Sequence, residues 1–233
     1  MLDTYDKAEQ WIASDCWLAY FDIMGFANLM SVENDDLKAY FVRADYEETL
    51  SNLRKSCKEY EPGSLNYCWF SDTFLMFTED NSPKSYCVIE FAAKSFIHHC
   101  LYSRIPIRGA ISVGSFMRSR DNRSFIGNAF LDAYRYGEDQ DWLGLIITPK
   151  GITKAESYDL YPIRHDFVKS DKIPMRKLPS NGVMAYRFQN GAANYPCPLL
   201  PMLNEMKMQS GEKYRGKYER TEQFIRKHYR WLI

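Results

Sequence analysis

The sequence lacks most features that would sort a chain by bulk properties. Its 30 Lys and Arg are offset by 30 Asp and Glu over 233 residues, so net charge gives no ground for a nucleic-acid or membrane partner. No apolar run approaches the ~20 residues that span a bilayer. The opening MLDTYDKAEQW is acidic and amphipathic, unlike a secretory leader. The six cysteines, at 16, 57, 68, 87, 100 and 197, are dispersed without a CxxC pair. Most lie in apolar runs, as reduced core thiols do. Internal repeats and low-complexity tracts are missing too. These absences predict a soluble cytoplasmic protein with no membrane segment.

What is present is a large apolar and aromatic content. Hydrophobic residues make up 45% and aromatics 15%, with 17 Tyr and 14 Phe, enough for one well-cored domain and against disorder. Charge is unevenly spread: residues 1–100 hold 8 basic and 17 acidic side chains, and the remainder 22 and 13. One half can offer carboxylates to a metal and the other cations to phosphates, although two differently solvated surfaces would look the same.

Trp17–Asp22 reads as a short aromatic strand ended by Gly25. Leu37, Tyr40, Phe41, Ala44, Leu50 and Leu53 fall at helical spacing over 36–58. Leu65–Phe70 and Thr73–Thr78 read as a hairpin joined at Ser71-Asp72. Asn81-Ser82-Pro83 opens a helix to about Tyr102, and the strand IPIRGAISVGSF follows at 105–116. A helix over 127–140 and a strand over 142–149 come next. Beyond residue 150 the pattern weakens to a strand at 183–188, a turn-rich break at 196–201 and a basic amphipathic helix over 214–232. The order predicts an α+β fold, helices against a mostly antiparallel sheet. Residues 1–180 are assigned to one domain and 181–233 to a strand and helix extension of it.

Two stretches share one oddity. WLAYFDIMGF at 17–26 and YCWFSDTFLMF at 67–77 each place a single Asp in an apolar run. A buried, unpaired carboxylate is costly, so it must be neutralised or compensated. Either residue alone reads equally well as a turn cap. Together, Asp22 at a strand end and Asp72 at the neighbouring hairpin make a hard-oxygen site suited to Mg²⁺ or Mn²⁺. The turn Ile-Met-Gly-Phe after Asp22 offers backbone N–H groups to phosphate, with Gly25 allowing close approach. This is the layout of two-metal phosphoryl transfer.

FDIMGF, FSDTF some 50 residues on, IRGAISVG and FIGNAFLDAYR together resemble the class III nucleotidyl cyclase catalytic domain over roughly residues 17–150. DKIPMRK at 171–177 extends the likeness. Ser-Asp in place of Gly-Asp, with the FDIMGF form, is most similar to the bacterial pyrimidine cyclases of antiphage signalling. The resemblance implies a class III cyclase-like, palm-type sheet. It implies Asp22 and Asp72 as ligands of two Mn²⁺ or Mg²⁺ ions, with the Ile23 carbonyl a further ligand, and Gly25 and Phe26 as the phosphate turn. The family's helix carries a Gly, an Asn four residues on and an Arg eight on; here Gly127 and Arg135 fit, while Leu131 stands at the Asn position. Arg135 is thereby the catalytic cation. Asn128 and Asp132 have no assigned role.

Purine cyclases carry Lys or Glu four residues before the second Asp; here that position is Cys68, between Tyr67 and Trp69. The second specificity position, three before the helix Gly, is Ser124. A Tyr67 hydroxyl with Ser124 can bond a smaller base edge while aromatic side chains fill the space of a purine. Strand parity places Cys68 on the Asp72 face, so Tyr67 in this role requires a bulge. The implied reaction is cyclisation of UTP or CTP, UTP preferred, with release of pyrophosphate. Lys150, or Lys172 with Arg176, can hold the leaving phosphates. The resemblance further implies a homodimer with shared sites, and a separate effector that answers the cyclic nucleotide. A non-catalytic cyclase-like module that binds nucleotide is the alternative. FSDTF lacks the Gly-Gly-acid-Glu-Phe pattern of diguanylate cyclases. Residues 213–233 hold 7 basic against 2 acidic side chains, read as the solvated face of a helix on its own domain and not as a nucleic-acid site. His98-His99, late in a helix, are read as cations suited to its dipole, and Met202, Met206 and Met208 as helix packing.

Overall fold

The computed structural model describes residues 11–25, 65–120, 124–159, 166–170, 172–188 and 199–228, with isolated positions at 44, 47, 48 and 51. Phe26 and, apart from those positions, the helix predicted over 36–58 lie outside the described residues. The first strand, β1 (Trp11–Ile23), is longer than its apolar stretch because β4 (Ile107–Ser119) pairs with it antiparallel from Trp11↔Ser119 to Ile23↔Ile107. On its other side lies β3 (Thr73–Thr78), which forms the predicted hairpin with β2 (Leu65–Phe70). The hairpin turn is Ser71-Asp72, with Ser71 at φ 54°.

Helix α1 (Pro83–Tyr102) starts where predicted: the Ser82 hydroxyl accepts from the Ser85 N–H, and Pro83 occupies the first turn. Strand β5 (Phe125–Ile126) pairs with β4, and α2 (Asn128–Asp139) follows. Gly127 sits at φ +156°, and a Cβ there would lie 2.2 Å from the Ser115 carbonyl oxygen, so only glycine lets α2 begin against β4. The chain continues through β6 (Leu145–Ile147), α3 (Pro149–Glu156), β7 (Phe167–Lys169), β8 (Met184–Tyr186), α4 (Leu199–Gln209) and α5 (Glu212–His228). The sheet order is β2-β3-β1-β4-β6-β8-β7, with β5 beside β4. Every pair among the described strands is antiparallel except β4–β6. β8, placed beyond the expected boundary at 180, is an inner strand between β6 and β7.

The alternation of β1 sorts the interior into two faces. Trp17, Ala19, Phe21 and Ile23 join Phe74, Met76 and the α1 side chains Ile89, Ala92, Ala93 and Phe96. Cys16, Leu18 and Tyr20 point the other way, with Leu75, Phe77 and Phe116, under Ala129 and Ala133 of α2. Buried on both sides, β1 reads as a continuous apolar run, and Asp22, in phase with Tyr20, belongs to the α2 face.

Three expectations are corrected here. Helix α4 already includes Leu199-Leu200-Pro201, so the break expected at 196–201 ends earlier; proline is tolerated in a first turn. Met202 and Met206 pack inward, but Met208 is 66% exposed. His98 is not a surface cation at a helix end: it is buried, its Nε2 lies 2.8 Å from the Tyr186 hydroxyl, and burial lowers its pKa to about 4.

Candidate active site

Asp22 is the last polar residue of β1, opposite Thr73 on β3 and Arg108 on β4. Direct cross-strand partners share a face, so Arg108 rises beside Asp22. Arg108 is 5% exposed, and its guanidinium is fully used. Its Nε and Nη2 lie 2.9 and 2.8 Å from Asp22 Oδ2, and Nη2 lies 2.7 Å from Glu138 Oε2. Nη1 donates to the carbonyls of Glu138 and Gln140 at 2.7 and 3.0 Å. The Tyr20 hydroxyl donates to Glu138 Oε1 at 3.0 Å. One buried cation thus ties the end of β1 to the last turn of α2.

The backbone of Asp72, in the hairpin turn, is bonded next to Asp22. Its carbonyl accepts the Ile23 N–H at 3.0 Å, and the Met24 N–H donates to the Pro106 carbonyl at 2.8 Å. These bonds fix the turn after Asp22, where Gly25 takes φ +74°, a conformation that favours glycine. Burial pushes the Asp22 carboxyl up to about 6; Arg108 opposes that shift, and the negative charges of Glu138 and Asp72 add to it. The backbone of Asp72 is thus bonded to the residue after Asp22, and its negative charge is felt at the Asp22 carboxyl.

This donor set fits a divalent metal. Both Asp22–Arg108 contacts run to Oδ2, which leaves Oδ1 for another cation. Among the described residues no group of three or more His, Cys, Asp or Glu converges on a metal position. Two carboxylates match the need of Mg²⁺, which takes one or two from protein and completes its shell with water and substrate phosphate.

The other predicted residues are placed differently. The β2–β3 register runs unbroken from Leu65↔Thr78 to Phe70↔Thr73, so the bulge required to turn Tyr67 is not there. Tyr67 stays on the α1 face, stacked 5.9 Å from Phe74, and is not brought to Asp22. Cys68 packs on the α2 face instead, its thiol pushed by burial up to about 11 and therefore neutral. Ser124 closes the β4–β5 turn, donating its N–H to Ser119 Oγ at 3.0 Å. Since Ser119 pairs with Trp11, Ser124 lies at the opposite end of β1 from Asp22, roughly 35 Å away at ~3.3 Å per residue.

Arg135 is exposed on α2, and Leu131 at the expected Asn position is 51% exposed. Asn128 and Asp132 brace the helix: Asn128 Nδ2 donates to Ser115 Oγ at 3.2 Å and Asp132 Oδ2 accepts from Ser112 Oγ at 2.7 Å. Lys150 and Lys172 are exposed, whereas Arg176 reaches the site and donates to the Glu138 carbonyl. Sequence reasoning missed Arg108 and Glu138. The signal for Arg108 was the one that exposed Asp22: a lone charge, in IPIRGAI, inside an apolar strand.

No family model and no curated protein matches the chain. Solved structures do. The catalytic core of a rhodopsin-guanylyl cyclase with converted specificity, in complex with ATPαS, superposes with a TM-score of 0.54 at 13% identity, covering 76% of this chain and 97% of that one. An adenylate/guanylate cyclase/hydrolase from Silicibacter pomeroyi gives 0.52 at 11% identity over 76% and 98%. The chain has a class III cyclase-like fold. A bacterial light-regulated adenylyl cyclase shares it, with a TM-score of 0.51 at 11% identity over 84% of this chain and 99% of that one. In this cyclase-like sheet, Asp22 and the hairpin turn that carries Asp72 lie at one end of β1. Among the described residues no helix is long and apolar enough to cross a membrane.

Proposed function

We propose that the protein is a nucleoside-triphosphate cyclase that converts UTP, or CTP, to the 3′,5′-cyclic monophosphate and pyrophosphate, with UTP preferred. The observation that carries this reading is a half-buried Asp22 beside a glycine turn, with the backbone of Asp72 bonded to Ile23, at one end of a cyclase-like sheet. Two bound Mn²⁺ or Mg²⁺ ions would acidify the ribose 3′-hydroxyl and hold the triphosphate. Asp22 Oδ1, Asp72 and the Ile23 carbonyl would supply hard oxygen ligands to them. The turn through Gly25 and Phe26 receives phosphate oxygens on its backbone N–H groups. The 3′-oxygen attacks the α-phosphorus in line as the bond to pyrophosphate breaks.

Arg135 takes the charge that builds on the α-phosphate, from a second copy of the chain. Support for a shared site comes from the exposure of Arg135 and the far position of Ser124. The apolar side chains Phe70, Ile126, Leu131 and Tyr134, 46, 59, 51 and 45% exposed, give a homodimer its surface. A pyrimidine is favoured because the purine-reading positions hold a neutral Cys68 and Ser124. The likeness to antiphage cyclases supports a cytoplasmic second-messenger role, answered by a separate effector that binds the cyclic pyrimidine nucleotide.

The test is incubation with each ribonucleoside triphosphate and Mn²⁺, with products identified by mass. Cyclic UMP, or cyclic CMP, is expected from the native chain, with a loss of 10²-fold or more in Asp72→Ala. Mixing Asp72→Ala with Arg135→Ala should restore part of the activity, because one site of the mixed dimer is intact. Leu131 at the ribose-orienting position favours a second reading, a non-catalytic nucleotide-binding module. Nucleotide binding without any product from the four triphosphates would establish that reading instead.

A further inference from the structure

Helix α5 belongs to the part of the chain where the sequence pattern is weakest, and it lies directly on the phosphate turn. A Cβ on Gly25 would stand 3.6 Å from the Tyr214 ring, and Lys217 Nζ lies 3.3 Å from Met24 Sδ. The helix is held there from several sides. Thr221 Oγ1 accepts the Leu143 N–H at 2.8 Å, Arg220 Nε donates to the Asp141 carbonyl at 2.8 Å, and Phe224 packs 4.5 Å from Trp142. Lys217 is therefore set in place by tertiary bonds before any ligand arrives.

Among the described residues its environment is short of anions. A thioether is a weak acceptor for an ammonium that carries three donors. The two carboxylates that act on Lys217 are each held by a guanidinium: Asp22 by Arg108, and Asp141 by Arg220 at 2.7 Å. Burial and the like charges of Arg108 and Arg176 disfavour the ammonium, lowering its pKa. A half-buried cation that feels the like charge of two others, on a helix packed against the Gly25 turn, is a place where a polyanion relieves repulsion.

We propose that α5 is part of the nucleotide site, with Lys217, and Arg176 from the Glu138 side, binding the terminal phosphates of the substrate and the pyrophosphate that leaves. The assignment rests on the cyclase reading for the identity of the substrate. The polyphosphate site itself is defined by the residues of this chain. Lys217 replaces Lys150 and Lys172 as the lysine of that site.

Inorganic tripolyphosphate, titrated calorimetrically into the full chain without nucleotide, reads the site independently of turnover. Lys217→Met keeps the buried stem and should weaken binding about tenfold or more, the scale of a charge-assisted hydrogen bond. Lys217→Arg should bind within a few-fold of the native chain, and Arg176→Gln, on an exposed residue of another segment, should weaken binding severalfold. Arg215→Gln, exposed on the same helix, should change nothing. In the cyclase assay Lys217→Met should raise KM for the triphosphate and the inhibition constant of pyrophosphate by similar factors, with kcat changed less. Lysine-dependent tripolyphosphate binding without cyclic product would uphold this site and remove the cyclase reading. Unchanged affinity and KM in both Lys217→Met and Arg176→Gln, with cyclase activity intact, would overturn the site and leave the cyclase reading standing. Should Lys217→Met fail to fold, the Arg176→Gln titration decides by itself.

Discussion

The two faces of the sheet are built to different ends. Helix α1 buries 11 of its 20 residues against one face, among them Tyr86, Ile89, Phe96 and Leu101. Helix α2 buries only Ala129, Ala133 and Gly137 of its 12. Small residues let α2 lie close to β1 and β4, but they cover little, and the helix presents Leu131 and Tyr134 outward. The charges of Asp22, Arg108 and Glu138 gather on the α2 side. A sealed apolar layer holds the fold, which lets the thinly covered layer keep charge and exposed apolar surface for chemistry and contact. Exchanging the properties of the faces, one residue at a time, sharpens this contrast.

The largest effect is expected at Arg108. Replacing it by Ala removes one cation from two carboxylates and two carbonyls and leaves Asp22 uncompensated. Breaking a buried pair in this way costs about 3–5 kcal/mol. Urea unfolding followed by tryptophan fluorescence should show the loss as a lower midpoint with an unchanged slope. Arg108→Lys should recover part of it, since one ammonium cannot span Asp22, Glu138 and Gln140 together. A midpoint close to native in Arg108→Ala would mean that the α2 face tolerates its charges without compensation.

That residue also marks where sequence reasoning stopped. The hairpin at 65–78 was legible because two apolar runs flank Ser71-Asp72. The partner of Asp22 was not legible, because Arg108 is 86 positions away and only the β1–β4 register brings it alongside. Glu138 follows from the packing of α2, which no local pattern gives. For Tyr67 the assignment needed a bulge against strand parity, and the β2–β3 ladder keeps the parity. The helix at 214–232 was recognised from its own periodicity, but its seat on Gly25 depends on Tyr214 and Lys217 meeting a turn about 190 residues earlier. His98 shows the same limit, since its charge depends on burial and not on its place in the helix.

The next effect belongs to the sealed face. His98 has a pKa of about 4 in the fold against its ordinary 6.5. Below pH 6.5 the unfolded chain takes up a proton that the folded chain refuses, so stability is complete above that value and falls as pH drops towards 4. The limit of the loss is about 3 kcal/mol. Burial is the main cause, the nearby Lys94 adds to it, and Asp166 opposes it. Unfolding free energies measured from pH 7 to pH 4, compared with His98→Gln, isolate this contribution. The native curve should fall more steeply than the variant curve across that window, and parallel curves would mean that His98 titrates normally in the fold.

The smallest effect on the monomer, and the most informative about the open face, is expected from Leu131→Asp. Leu131 is 51% exposed, so its replacement should change unfolding free energy by no more than about 0.5 kcal/mol. The same carboxylate placed in an apolar contact between two copies would be desolvated without a partner, a penalty of several kcal/mol shared by both halves of a symmetric interface. Sedimentation velocity should therefore show a native dimer that dissociates in Leu131→Asp while urea midpoints remain close. The sealed face supplies the control: Cys87→Asp, exposed on α1, should leave the dimer intact. A native chain that sediments as a monomer, or a variant that stays dimeric, would remove α2 from any shared interface and with it the route by which Arg135 reaches a neighbouring site.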